Sequence, residues 1–133
     1  MFHLIKILNG RIGVPEPERI TLETSVNVKY GTPVIIKDGS LEVMSGISIS
    51  IPTHYILKDS SGNEVLAGRI TPDTIFEVPA AGTPSAMKVG TEYILGSNGT
   101  LTAAPVTAGK RGAVLVSTAG AKKVGDPVHV CFR

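Results

Sequence analysis

Three stretches of this chain repeat one pattern, Lys-apolar-Gly-Thr/Asp-x-apolar-x-apolar. They are Lys29-Tyr30-Gly31-Thr32-Pro33-Val34-Ile35-Ile36, Lys88-Val89-Gly90-Thr91-Glu92-Tyr93-Ile94-Leu95 and Lys123-Val124-Gly125-Asp126-Pro127-Val128-His129-Val130. Each copy has the same physical sense. Glycine supplies a backbone bend that a side chain would resist. Thr or Asp then hydrogen-bonds nearby backbone and holds a turn. Proline is tolerated at the first position of a strand, and the β-branched or aromatic run that follows suits a pleated sheet. Each phrase therefore reads as a turn followed by a strand entry. The spacings are unequal, 59 residues from Gly31 to Gly90 and 35 from Gly90 to Gly125, so they set no solenoid period. The phrases are either copies of one β unit or good strand starters reused.

The remaining pattern is also β. Phe2–Leu8 reads as a first strand, stopped by Asn9-Gly10. Pro15 and Pro17 then exclude a helix or a central strand and imply an extended connector or arm. The first residues are expected to pair with a strand distant in sequence or to lie on another subunit. Ile20–Val28 alternates apolar and polar, as a half-buried strand does. Asp38-Gly39 between Val34–Lys37 and Ser40–Met44 is a two-residue hairpin signal, and Asn98-Gly99 is another. Ile47, Ile49 and Ile51 alternate with serines in a further strand. Asp59–Asn63 reads as a polar loop, and Pro79–Ala86 and Thr102–Ala108 as exposed loops of small residues. Gly112–Ser117 reads as a buried strand. No window of 12 or more residues has clean helical periodicity with caps; a short helix near Thr83–Lys88 is the one exception expected. The fold class is thus all-β, a compact small barrel or β-sandwich of short antiparallel strands with an extended N-terminal arm. Residues 1–19 form the arm and connector, and residues 20–133 a single β domain.

Composition narrows the function. Hydrophobic residues make up 42% of the 133, enough for one modest core, whereas charged residues are only 18%, below the usual figure of about 25%. A surface so poor in charge is expected where a partner covers part of it. Up to Met87 there are 7 Lys/Arg and 9 Asp/Glu; from Lys88 onward there are 6 and 2. The mildly basic last third would steer the protein toward an acidic surface. The single cysteine, Cys131, excludes an internal disulfide framework and a multi-thiolate zinc site. No run approaches a membrane span, and Met1–Leu8 lacks a cleavage site. The chain is expected to be soluble and unexported.

Motifs for chemistry are weak. Ser85-Ala86-Met87-Lys88 matches Ser-x-x-Lys, but its usual partner elements are missing. Gly109-Lys110-Arg111-Gly112 lacks the spacing of a phosphate cradle. Asp59–Glu64 lacks the alternating carboxylates of a calcium loop. His3, His54 and His129 lie in separate strands without metal-ligand spacing. Tyr30, Tyr55 and Tyr93 are scattered, with no aromatic among the clustered cations, which argues against single-stranded nucleic acid. Catalytic, cofactor and metal residues are therefore expected to be absent. Ser85, Lys88, His54 and His129 are the candidates should the chain be an enzyme.

The Lys-x-Gly-Thr/Asp-Pro-Val entries, with Gly-Lys-Arg-Gly-Ala-Val-Leu-Val and Lys-Val-Gly-Asp-Pro-Val-His-Val near the end, resemble the capsid decoration (cement) and head-fibre base proteins of tailed bacteriophages. The resemblance covers Lys29–Gly39 and Met87–Arg133. It implies a non-enzymatic structural protein on the virion exterior, made in the host cytoplasm. Such a protein binds the outer capsid surface, often as a trimer, and bridges major capsid subunits. It implies no cofactor, no nucleic acid and no membrane. Candidate partner-binding residues are Lys110, Arg111, Lys122, Lys123, Pro15 and Pro17. The alternative is a carbohydrate- or wall-binding β-module of a phage or bacterial surface, weakened by the lack of aromatic platforms.

Overall fold

A computed structural model describes residues 17–44, 50–72, 74–96, 100–118 and 120–133, together with the backbone of residues 3–7. Among them the chain forms eleven strands: β1 (His3–Ile7), β2 (Glu18–Thr21), β3 (Pro33–Lys37), β4 (Ser40–Val43), β5 (His54–Ser61), β6 (Glu64–Arg69), β7 (Thr74–Pro79), β8 (Glu92–Leu95), β9 (Leu101–Pro105), β10 (Ala113–Ser117) and β11 (Pro127–Cys131). The helical content described is one 3-10 turn, Pro84–Ala86. The strands make two antiparallel sheets, a six-stranded one in the order β1-β7-β11-β10-β8-β9 and a five-stranded one in the order β2-β6-β5-β3-β4. The fold is a β-sandwich.

Period-2 alternation decides which side chains meet between the sheets. From the six-stranded sheet, Phe76, Val78, Val128, Val130, Ala113, Leu115, Tyr93, Leu95 and Leu101 form one buried cluster with Tyr55, and Ile35, Leu57 and Ile70 pack against it from the five-stranded sheet. The Tyr55 ring lies on Gly68, where a Cβ would come within 2.8 Å of the ring's Cε1. The other face of the five-stranded sheet has its own core of Val34, Ile56, Val65 and Ala67, closed by Leu22 and Val28.

That closure differs from the strand expected at Ile20–Val28. β2 ends at Thr21, and residues 22–31 fold across the β5–β6 hairpin instead. The Leu22 and Val26 N–H groups donate to Asn63 O at 2.7 Å and Gly62 O at 3.0 Å. Asn63 Nδ2 and Ser60 Oγ donate back to Leu22 O and Val26 O. The alternating apolar residues are buried as read, but through a strap. The expected polar loop at Asp59–Asn63 is mostly strand: β5 runs to Ser61 and turns at Gly62-Asn63, with irregular register near Lys58.

The two smooth loops correct the sequence reading in part: Ala81, Thr83, Ser85, Ala86, Thr107 and Ala108 are exposed as read. Residues 101–105 are an edge strand, and Ala80 is buried. Ala80 bridges to Leu101, and Ala81 N–H donates to Leu101 O at 2.7 Å. A Cβ on Gly82 would overlap that of Ala103. The residues are small because the two segments touch. The Asp38-Gly39 hairpin is present, with φ of 51° and 77° and Lys37 opposite Ser40. β1 pairs with β7, distant in sequence. Ile47, Ile49, Asn98-Gly99 and Pro15 lie outside the described residues.

Candidate functional site

Each of the three phrases folds into the same unit. The fourth residue donates its N–H to the first residue's carbonyl: Thr32 to Lys29 at 3.2 Å, Thr91 to Lys88 at 3.2 Å, Asp126 to Lys123 at 3.1 Å. The glycine at the third position has φ of 85°, 88° or 95°, as a type II turn requires. That glycine donates to the neighbouring strand, Gly31 to Ile56 O, Gly90 to Leu115 O and Gly125 to Ala80 O, each at 2.8 Å. The same neighbour returns a bond to the next residue, Ile56 to Thr32 O, Leu115 to Thr91 O and Ala80 to Asp126 O, each at 3.0 Å. Two residues thus oppose one, with glycine in the left-handed region: a G1 bulge. The repeated sequence is a repeated piece of structure, a turn and bulge that launch β3, β8 and β11.

The fold uses the glycine and the fourth residue. It does not use the second. Tyr30, Val89 and Val124 stand at the turn corners with 42%, 64% and 57% of their surface exposed. Each unit therefore shows solvent a lysine followed by an apolar side chain.

The cations singled out from the sequence divide. Lys122 and Lys123 are exposed at the third unit, where their N–H groups donate to Asp126 Oδ2 at 3.0 and 3.2 Å. Lys110 is exposed in the turn closed by its own N–H to Thr107 O. Arg111 is half-buried and committed, with Nε 3.1 Å from Glu92 Oε1, an oxygen that also accepts from Gly112 N–H. Pro17 is exposed just before β2.

The candidates for catalysis are not assembled. The 3-10 turn holding Ser85 ends at Ala86, and Met87 is already extended (φ −94°, ψ 142°), so Lys88 does not sit one helical turn above Ser85. His54 is buried and satisfied: Nδ1 lies 2.8 Å from Thr53 Oγ1 and Nε2 3.2 Å from Glu18 Oε2. Asp59 Oδ1 accepts from Tyr30 N–H at 2.8 Å, and Asp59 Oδ2 lies 3.7 Å from Lys29 Nζ. The strands of His3 and His129 are closer than the sequence implied. Both residues are register partners of Glu77 on β7, and His129 Nε2 lies 3.4 Å from Glu77 Oε2. Among the described residues no three His, Cys, Asp or Glu are grouped to hold a metal, and no helix is long and apolar enough to cross a membrane. A hollow beside Arg19, Lys58, Asp59 and Glu64 holds about 70 Å³, small beside the several hundred Å³ of ligand pockets.

Two carboxylates carry an acid-linked contribution to stability. The Lys122 and Lys123 N–H groups hold Asp126 below its ordinary 3.8, helped by the Lys123 charge. The Arg69 guanidinium, 3.1 Å away, and then His54 hold Glu18 below its ordinary 4.5. A carboxyl depressed in the folded state stabilises it above the unfolded pKa and loses that contribution as pH falls through the folded value. The urea midpoint should therefore fall as pH drops below about 4.5, and Glu18→Gln with Asp126→Asn should flatten that fall. Parallel curves for wild type and variant would refute the assignment.

Compared with known proteins, the chain matches no protein-family model and no curated protein.

Proposed function

We propose that this protein is a non-enzymatic structural component that binds the outer surface of a tailed-phage capsid and stabilises it by bridging major capsid subunits, acting as a homo-oligomer with a trimer favoured. One observation carries the reading: a two-sheet β body carries the same Lys-apolar turn at three places. A turn locked by a bulge loses little entropy when it docks, so even a small contact can be productive. Repetition on a symmetric lattice then multiplies weak contacts. The resemblance of Lys29–Gly39 and Met87–Arg133 to decoration proteins points the same way. The edge strand β4 adds backbone groups able to extend a partner's sheet.

Mixing purified protein with expanded phage capsids tests this. The expected result is co-sedimentation that saturates at a fixed ratio to capsid subunits and raises the temperature at which shells disassemble. Protein left wholly in the supernatant would refute it.

A further inference from the structure

We infer that β4 is a docking edge for one extended segment of a partner protein, a lysine or arginine with an apolar residue on either side, which joins the five-stranded sheet as a further antiparallel strand. The partner's identity rests on the capsid reading above; the segment's chemistry does not. Met44 N–H donates to Pro33 O at 3.0 Å, and the β3–β4 register runs without a break from Val34 opposite Val43 to Lys37 opposite Ser40. Bonded and non-bonded pairs alternate along such a ladder. Ile35 with Glu42 and Lys37 with Ser40 are therefore the bonded pairs, and the N–H and C=O groups of Leu41 and Val43 point away from β3. β4 is the last strand of its sheet. Among the described residues no donor or acceptor meets those outward groups.

A row of free backbone groups invites pairing, and folds usually blunt it. β1 has a bulge between Leu4 and Lys6. β2 starts behind Pro17 and carries Arg19. β9 is met at Leu101 by residues 80 and 81 and ends on Pro105. β4 is regular, holds no proline and no cation, and carries one charge, Glu42. Its side chains set what it accepts. Leu41 packs on the core of Val34 and Ile56, and Val43, opposite Val34, is 42% exposed, so an incoming strand meets apolar neighbours on that face. Glu42 lies on the other face. It is exposed and forms no ion pair among the described residues; Lys37, diagonal to it across the hairpin, forms none either. An antiparallel strand that bonds Leu41 and Val43 puts its middle residue opposite Glu42, where a cation complements the carboxylate. A second copy of β4 in that register would set Glu42 against Glu42, so charge selects a different strand.

The probe is a blocked peptide, Thr-Val-Lys-Val-Thr, titrated into the full chain and followed by amide NMR. The Leu41 and Val43 amide protons should move downfield as carbonyls accept them, and the Glu42 amide, already bonded to β3, should move least. Thr-Val-Gln-Val-Thr should bind up to about fivefold more weakly, and Glu42→Gln should erase that difference. N-methylation of both valines removes the donors that face β4 and should abolish binding. N-methylation of the lysine, whose N–H faces away, should not. Val43→Pro removes an N–H that bonds nothing in the fold, at an edge position that tolerates proline, so the urea midpoint should stay near wild type while the response at Leu41 is lost. Unmoved Leu41 and Val43 amides, equal affinity for the lysine and glutamine peptides, binding that survives N-methylated valines, or a dimer of the chain that the peptide displaces would each overturn the assignment. Capsid co-sedimentation undiminished by saturating peptide would remove this contact and leave the structural role. Peptide binding without co-sedimentation would keep the contact and remove the capsid role.

Discussion

Replacing Phe76 with alanine is expected to destabilise the protein by about 3–5 kcal/mol, a large part of the roughly 5–15 kcal/mol that holds a domain of this size. Phe76 has no exposed surface. It sits on β7 between Tyr55 of the opposite sheet, 5.2 Å between ring centres and edge-on at 78°, and Phe132 beyond β11, 5.9 Å away at 60°. Truncation removes apolar burial, leaves a cavity between two sheets that strand pairing holds apart, and breaks both edge-to-face contacts, worth about 0.5–1.5 kcal/mol each. The chain has no Trp and only 5% aromatics, so few neighbouring rings can refill the space. Phe76→Leu keeps much of the volume and should lose under half as much. Urea unfolding should show a lower midpoint with an unchanged slope. A loss below about 1 kcal/mol for Phe76→Ala would mean that the sheets do not meet at this residue.

The fold was legible where turn chemistry was explicit. Asp38-Gly39 named its own hairpin, because two successive positive-φ residues fit little else. The three phrases named their strands, because glycine followed by Thr or Asp fixes the bend and the strand entry together. Reading failed where packing rather than local preference decided the outcome. Leu22, Val26 and Val28 alternate like a strand, yet they lie in a strap bonded to the β5–β6 tip. Thr102–Pro105 has weak β chemistry and a terminal proline, which only an edge strand such as β9 accommodates. The smallness of Ala80, Gly82 and Ala103 reads as exposure from sequence and is contact in the fold.

The candidate site was half visible. Lys122 and Lys123 stood out as charges, but an apolar residue at a strand entry normally reads as core, so Val89 and Val124 were passed over. Their exposure follows from the corner of a type II turn, a position the glycine at the next residue does encode. The pairing of His129 with Glu77, and the register of His3 beside them, needed the strand order β1-β7-β11, which no local pattern supplies.

Glycines separate two kinds of constraint, and three alanine substitutions should resolve them. At Gly90 and Gly125 an added Cβ meets nothing within 4 Å, but φ is 88° and 95°. The penalty there is purely conformational, about 1–2 kcal/mol for each, alike at the two sites because the units are alike, and additive in the double variant because they share no contact. Asparagine, which tolerates the left-handed region, should lose less than alanine at both. Gly112 is the reverse case. Its backbone is one that other residues adopt, but a Cβ would run into the Tyr93 carbonyl and crowd Val106. The reason is topological: β9 and β10 flank β8 and run parallel to each other, so the short link 106–112 has to pass across β8 with no room for a side chain. Backbone cannot yield as a flexible side chain would, and Gly112→Ala should destabilise by about 3 kcal/mol, with asparagine worse than alanine. Stability curves that rank Gly112→Ala below Gly90→Ala, or an asparagine that helps at Gly112, would show that the link does not cross β8 at this point.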